Sequence, residues 1–406
     1  MGVSGLAENP REWGGLPEEL TIEGAMLREE RRGGMVELPE EMVPGEAVRS
    51  RLLLVFVGSG ALMLGTRVLT RHLDLLANNV PIMIDSNAWN LAEAREALRA
   101  RLRSCPTRPV VTEQQLVRTC AVALGRFGAK KDPNEGLRLL MGKVGGRSKL
   151  EIIGHLLQRH FDRYGCEGAV VVWCAGGGTG TLCGPTIAQV VREAVAAETA
   201  SVNVMTVPLR TNYMELDNAR LGLAKACELN LKPLVVDIEV VARAMGLSPK
   251  RLPERSIYGR TTDLVAEMLA CMMRALMNRD KTYPSFDFSD AKRVMASATE
   301  GTVGLMSHAD AGNLGALAKA WRGALERWET LRARPRDKVT ALAFLVGADI
   351  PLGMRVEFVK WLCRRHRLGE RDVLAPLVAL KGTYQIWLGV WGLDPATVVP
   401  PLVPRR

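Results

Sequence analysis

The sequence predicts an α/β fold, a parallel sheet covered by helices on both faces, followed by a long helix and a smaller α+β region. Three observations carry this reading. Short apolar runs alternate with amphipathic stretches from Leu52 to Leu229, the pattern of strands joined by helical crossovers. A turn rich in glycine and threonine, Gly176-Gly177-Gly178-Thr179-Gly180-Thr181, sits where an apolar run ends and a helical pattern begins. The order of the pattern changes after Asp290.

The elements follow in chain order. Residues 1–50 hold 11 Glu and 5 Arg, with Gly14-Gly15, Gly33-Gly34 and Pro44-Gly45. They read as an acidic, partly disordered extension with one short helix near Glu18–Arg32. The apolar runs Leu52–Val57, Val80–Ile84, Ala169–Cys174, Ser201–Leu209 and Leu234–Ile238 predict strands. Ala92–Arg103, Thr112–Leu124, Lys149–Phe161, Pro185–Ala197 and Leu216–Leu229 predict helices. Together they imply a Rossmann-like parallel sheet over residues 51–254. Thr261–Asn278 reads as a long central helix, and its Met268, Met272, Met273 and Met277 as core packing rather than a cofactor box. This helix and the loop after it make up 255–290. Residues 294–310, 339–348 and 384–391 then read as strands, with helices near 312–332 and 352–367, giving an α+β domain at 291–399. Residues 400–406 are a short proline-rich tail.

At 406 residues the chain has room for two or three domains. Its composition, 47% hydrophobic and 24% charged, is that of an ordinary soluble protein. The longest apolar stretch, Arg51 to Gly65, is interrupted by Gly58, Ser59 and Gly60 and is no membrane span. The first residues are acidic rather than basic then apolar, unlike a secretory signal. Eight cysteines without a C-x-x-C pair read as reduced and mostly buried, which fits a cytoplasmic protein. Cys363-x-x-His366 has no second half, so no metal centre is assigned to it. The net charge of +10 hides an extension at −6 and a body at +16. The basic residues, Arg101, Arg103, Arg108, Arg147, Arg364, Arg365 and Arg367 among them, are scattered without aromatic partners. They read as solvated helix faces, and no direct nucleic-acid binding is expected.

The glycine loop is where chemistry is to be sought. Its backbone amides, the hydroxyls of Thr179 and Thr181 and the positive end of the following helix form a phosphate cradle; the bland alternative is a strand–helix turn without a ligand. A Walker-type loop is absent, since Gly142-Lys143 lacks both the spacing and the following Ser or Thr. Gly58-Ser59-Gly60 begins a dinucleotide fingerprint, but Met63 takes the third glycine's place, which argues against a dehydrogenase.

Four segments, in order, carry a specific resemblance. The loop at Gly176 is similar to the Gly-Gly-Gly-Thr-Gly-Thr-Gly signature of the tubulin/FtsZ family of GTPases, with Leu182 in place of the last glycine. Phe127-Gly128-Ala129-Lys130-Lys131-Asp132-Pro133-Asn134-Glu135-Gly136 resembles that family's γ-phosphate loop. Ile84-Asp85-Ser86-Asn87-Ala88 resembles the loop after its second strand. Phe286-Asp287-Phe288-Ser289-Asp290-Ala291-Lys292-Arg293-Val294-Met295 resembles its synergy loop and helix. These matches cover about residues 51–310.

The resemblance implies a tubulin/FtsZ-like fold, GTP and GDP as ligands, Mg²⁺ with them, and head-to-tail assembly of the chain with itself. Gly58, Ser59, Gly60, Gly128, Ala129, Gly176, Gly177, Gly178, Thr179, Gly180 and Thr181 are then phosphate-binding. Lys130 and Lys131, where the family has glycines, either add positive charge at the terminal phosphate or are solvated loop lysines. Asn87 stands where the family has an Asp near the metal and water, with Asp85 as a substitute. The base-reading region is less faithful. Pro208-Leu209 to Asn218-Ala219 is one residue short, the family's Glu and Arg are missing there, and Asn218 remains. Glu239 stands for the guanine-contacting Asn, and a carboxylate can accept from guanine N1 and N2. Asp263 is matched to the helix Asp that reads guanine and Tyr258 to the stacking Phe; both also fit as ordinary helix-start residues. Asp287 and Asp290, spaced i, i+3 at a helix start, either cap that helix or, as the resemblance implies, polarise the attacking water in a neighbouring subunit's site.

The function expected is a divergent filament-forming GTPase whose hydrolysis needs assembly. The alternative is a nucleotide-binding scaffold of the same fold with slow or no hydrolysis. A membrane or DNA-segregation adaptor is left open, and residues 400–406 offer no family-like docking peptide.

Overall fold

In the computed structural model, residues 50–399 are described, apart from 108, 195–199, 249–250, 279–281, 284–285, 331–333 and 381–383. The acidic extension with its expected helix and the proline-rich tail lie outside the described residues.

Strands buried on both faces need apolar side chains at every position, and the continuous runs supply them. β1 (Arg51–Val57), β2 (Val80–Asp85), β3 (Ala121–Ala123), the short hairpin β4 (Lys143–Val144) and β5 (Arg147–Ser148), β6 (Cys166–Cys174), β7 (Ser201–Val207) and β8 (Leu234–Asp237) form the first part of the chain. β9 (Thr282–Tyr283), β10 (Val303–Ala311), β11 (Pro335–Val346), β12 (Val373–Leu374), β13 (Leu377–Val378) and β14 (Tyr384–Leu393) form the second. Among the described residues, twelve of these strands make one sheet, ordered β3-β2-β1-β6-β7-β8-β10-β14-β11-β13-β9, with β12 beside β11. From β3 to β10 neighbours run parallel; β14 is antiparallel to both β10 and β11. The two halves join where Gly304 and Leu305 of β10 pair with Leu234 and Val235 of β8.

The helix Glu254–Met277 runs beside the sheet, with Met268, Met272, Met273 and Met277 all buried. It is core packing, and it begins seven residues earlier than Thr261. Arg274 clamps Asp74 with Nε–Oδ2 at 2.8 Å and Nη2–Oδ1 at 2.7 Å, tying this helix to Leu73–Asn78. The ammonium of Lys232 donates to the carbonyls of Met295, Ala296 and Ala298 at the end of the helix Phe288–Ser297. That charge meets the negative end of a helix and pins the C-terminal half to the loop before β8. All eight cysteines are free thiols. No helix among the described residues is long and apolar enough to cross a membrane.

The sequence reading needs four corrections here. The expected helix Thr112–Leu124 is a helix only over Glu113–Thr119, after which the chain enters β3. The expected strand 294–310 is helical to Ser297 and becomes β10 at Val303. The helix after the glycine loop starts at Gly178 rather than Pro185, so the loop supplies the helix's own first turn. The helices Ser59–Arg71 and Pro133–Met141 were not foreseen.

Candidate nucleotide site

β1 and β6 lie side by side, with Val57 opposite Trp173. The chain leaves β1 toward β2 on one side, and leaves β6 toward β7 on the other. Crevices at such reversals, at the carboxyl ends of the strands, are where α/β sheets bind ligands. A cavity of about 470 Å³ opens there, within the span of roughly 300–1,000 Å³ usual for small-molecule sites.

One end of the cavity is built from backbone. Gly176 to Gly180 line it, with Gly58, Ser59 and Gly60 from the first loop and Gly128, Ala129, Lys130 and Lys131 from the third. Most glycines here are demanded by close packing. A Cβ at Gly58 would lie 2.7 Å from the Gly180 nitrogen, one at Gly178 2.7 Å from the Ala129 Cβ, and one at Gly180 would collide with the Cys174 carbonyl. Gly177 differs, because a Cβ there meets nothing within 4 Å. The helix Gly178–Ala194 points its unpaired first-turn amides at this space. The helix Pro133–Met141, capped by Asp132, packs against it so closely that a Cβ at Gly136 would lie 2.5 Å from the Gly178 carbonyl oxygen.

The polar residues divide into those that face the cavity and those that support it. Ser59, Ser86, Asn87 and Thr179 line it, and the hydroxyls of Ser86 and Thr179 are hydrogen-bonded to each other. The Asn87 carboxamide also caps the helix Ala88–Leu102 by accepting from the Trp89 amide. Asp85 is fully buried and does not line the cavity. Its Oδ2 accepts from the Ser59 hydroxyl at 2.7 Å and its Oδ1 from the Ser86 amide at 2.7 Å, so it orients the residues that do. Thr181 turns its hydroxyl back to the Gly177 carbonyl, steadying the loop from beneath. Asn218 also stands behind the wall, donating to the carbonyls of Lys131 and Gly176, both at 3.0 Å.

Lys130 and Lys131 adopt left-handed backbone, with φ of 49° and 61°. This conformation costs a side-chain-bearing residue of order 1 kcal/mol. Lys131 reaches Glu215, another lining residue, at 2.6 Å.

Another part of the lining is apolar, with Met63, Leu64, Ile238 and Val265 as well as Tyr258 and Thr262. Tyr258 accepts from the Leu209 amide at 3.2 Å, and burial pushes its phenol up to about 12, which keeps it neutral. Two expected base readers are not brought to the cavity. Asp263 is held by Arg67 at 2.6 Å and Arg71 at 2.9 Å, and Thr262 lines the wall in its stead. Glu239 is buried, accepting from the Arg210 amide at 3.1 Å and paired with Arg243. Thr262 and Val265 were legible in principle, since Tyr258, Thr262 and Val265 share one helix face at i, i+4 and i+7. Cys174 lines the cavity too, but burial pushes its thiol up to about 11, so it is no ready nucleophile.

Among the described residues, no group of three or more His, Cys, Asp or Glu could hold a metal ion. Both oxygens of Asp85 are engaged, and Glu215 is paired with Lys131. The residues present therefore do not fit a protein-held Mg²⁺. The positive charge in the lining belongs to the two lysines.

Asp287 and Asp290 lie elsewhere. They form a reciprocal cap, with Asp287 Oδ1 accepting from the Asp290 amide at 2.9 Å and Asp290 Oδ2 from the Asp287 amide at 3.3 Å. Asp290 also meets Arg293 at 2.8 Å. The next residue, Phe288, packs on Gly168 near the start of β6, leaving no room for a Cβ there. From Gly168 to Cys174 a strand at about 3.3 Å per residue spans roughly 20 Å. The carboxylates and the glycine loop thus sit toward opposite ends of the same strand. Two lining residues, Met63 and Phe127, are 55% and 72% exposed, and the apolar residues Trp89, Tyr213 and Met214, close in sequence to the lining residues Asn87 and Glu215, are exposed as well.

Three solved structures are similar to this one. An FtsZ dimer from M. jannaschii matches at TM-score 0.60 and 15% identity, over 85% of this chain and 88% of that one. CetZ from Methanosaeta thermophila matches at TM-score 0.61 and 18% identity, over 85% and 86%. A GTPγS-form protofilament of TubZ from Bacillus thuringiensis serovar israelensis matches at TM-score 0.57 and 11% identity, over 87% and 91%. No protein-family model and no curated protein matches the sequence. The likeness establishes the tubulin/FtsZ fold.

Proposed function

We propose that this chain binds GTP, and GDP after hydrolysis, in the cavity between β1 and β6, and assembles head-to-tail into filaments. The amides around Gly177 and those of Gly128 and Ala129 take the phosphates. The Lys130 ammonium offsets the charge of the terminal one. Asp287 and Asp290 of the next copy approach that phosphate and polarise the attacking water. Such a filament would belong in the cytoplasm, and any adaptor would dock on its outside.

The observation that carries this reading is the placement of the acidic pair and the glycine loop toward opposite ends of β6. One molecule cannot bring them together, whereas copies stacked along the strand direction can. The exposed apolar side chains of Met63 and Phe127 in the cavity lining support it, because exposed apolar surface beside a site favours contact with another molecule. The FtsZ dimer and TubZ protofilament among the similar structures support it as well. A scaffold with slow or no hydrolysis is the second reading, favoured by the cap that engages both carboxylates.

Sedimentation and phosphate release with GTP separate the two. GTP-stimulated polymers that release phosphate are expected of the wild type. Asp290→Ala should lower release about a hundredfold, the scale for removing one transition-state contact, while polymers persist. Equal sedimentation with and without nucleotide, and no phosphate release, would leave the scaffold.

A further inference from the structure

The apolar part of the cavity wall has the wrong chemistry for a strict guanine reader. Guanine presents N1–H and N2–H donors on the edge where adenine presents an N1 acceptor. A carboxylate placed there accepts from guanine and repels adenine, and sites built on such buried hydrogen bonds can discriminate by 10⁴ or so. Here the carboxylates in the neighbourhood are spent: Glu215, which lines the cavity, is paired with Lys131 at 2.6 Å. Glu239 is buried between the Arg210 amide and Arg243. Asp263 pairs with Arg67 and Arg71, one position and so about 100° round the helix from the face that carries Tyr258, Thr262 and Val265. A change of ion-pair partner alone would not swing it into the cavity.

What remains on that wall is apolar surface and hydroxyl groups. Met63, Leu64, Ile238 and Val265 offer dispersion contact to any flat ring. The Tyr258 oxygen already accepts from the Leu209 amide and has its proton left to donate. Thr262 is 8% exposed as a residue, and its hydroxyl can donate or accept by rotating. A rotating hydroxyl satisfies the adenine N1 acceptor as well as the guanine N1–H donor, and neither base leaves a buried carboxylate unpaired.

We propose that the base end of this cavity accepts adenine about as readily as guanine, so that the protein takes purine nucleoside triphosphates as a class. This rests on the nucleotide-site reading above.

The test is equilibrium binding of the full chain to hydrolysis-resistant GTP and ATP analogues, measured separately. A ratio of dissociation constants below about thirtyfold is expected, and a larger preference for either base overturns the proposal. Failure to bind either analogue would sink the nucleotide-site reading itself, a result distinct from selective GTP binding. Thr262→Asp should shift the ratio toward guanine by roughly tenfold or more, and Thr262→Val should leave it near the wild-type value. A shift under Thr262→Val as large as that under Thr262→Asp would contradict the hydroxyl's role. The wild-type ratio decides the matter even if the aspartate variant does not fold.

Discussion

Gly177 is the residue at which packing and function separate. Its neighbours Gly178 and Gly180 are glycines because the protein's own atoms leave no room for a Cβ, while Gly177 faces open space. A side chain there intrudes on the cavity alone. Gly177→Ala should therefore leave stability within about 0.5 kcal/mol of wild type, as for other uncrowded positions, yet weaken nucleotide binding at least about tenfold. Thermal melting beside a titration checks both parts, and unchanged affinity would remove the loop from the site. The run of glycines was legible in the sequence as a loop, but only the structure separates Gly177, which faces the cavity, from the glycines that packing requires. Thr262 was legible only from its place one turn beyond Tyr258 on the same helix face; the resemblance matched Asp263 instead, one position on and on a different face.

At the scale of elements, strands buried on both faces announce themselves as unbroken apolar runs, and β1, β2, β6, β7 and β8 were legible for that reason. β3, three residues of Ala and Val, is too short to carry a period. The helix Ser59–Arg71 was hidden because its first residues continue an apolar stretch broken by glycines. The helix Phe288–Ser297 had its cap, Asp287 with Asp290, in plain view; the strand expected from 294 ran over its last turn. One joint between elements makes a prediction about pH. Burial alone would push the Asp74 carboxyl up, but the hydrogen bonds and charge of Arg274 outweigh it and hold the group below its usual range. A depressed folded value adds stability above the unfolded pKa of about 3.9, and that contribution is lost as pH falls through the folded value. The pair is partly exposed, so Asp74→Asn should cost only about 0.5–1 kcal/mol at pH 7. Urea melts should show the gap closing toward pH 3; a gap of the same size at both pH values would show that charge is not its source.

At the scale of the whole molecule, the sheet sets the distance on which the proposed function depends. The glycine loop and the acidic cap are fixed toward opposite ends of β6, and Lys232 holds the helix that carries the cap against the loop before β8. The sequence motifs named both parts of the proposed site, but the distance between them exists only once the parallel strands are laid side by side. The most direct measurement is phosphate release from a mixture of two disabled variants. Gly177→Arg keeps the acidic pair and blocks the cavity, whereas Asp287→Ala/Asp290→Ala keeps the cavity and lacks the acids. Each alone should release little phosphate, and the equimolar mixture should recover roughly a quarter of the wild-type rate, since in random head-to-tail pairing that share of contacts joins an intact cavity to intact acids. A mixture that co-sediments yet stays as inactive as its components would contradict the shared site.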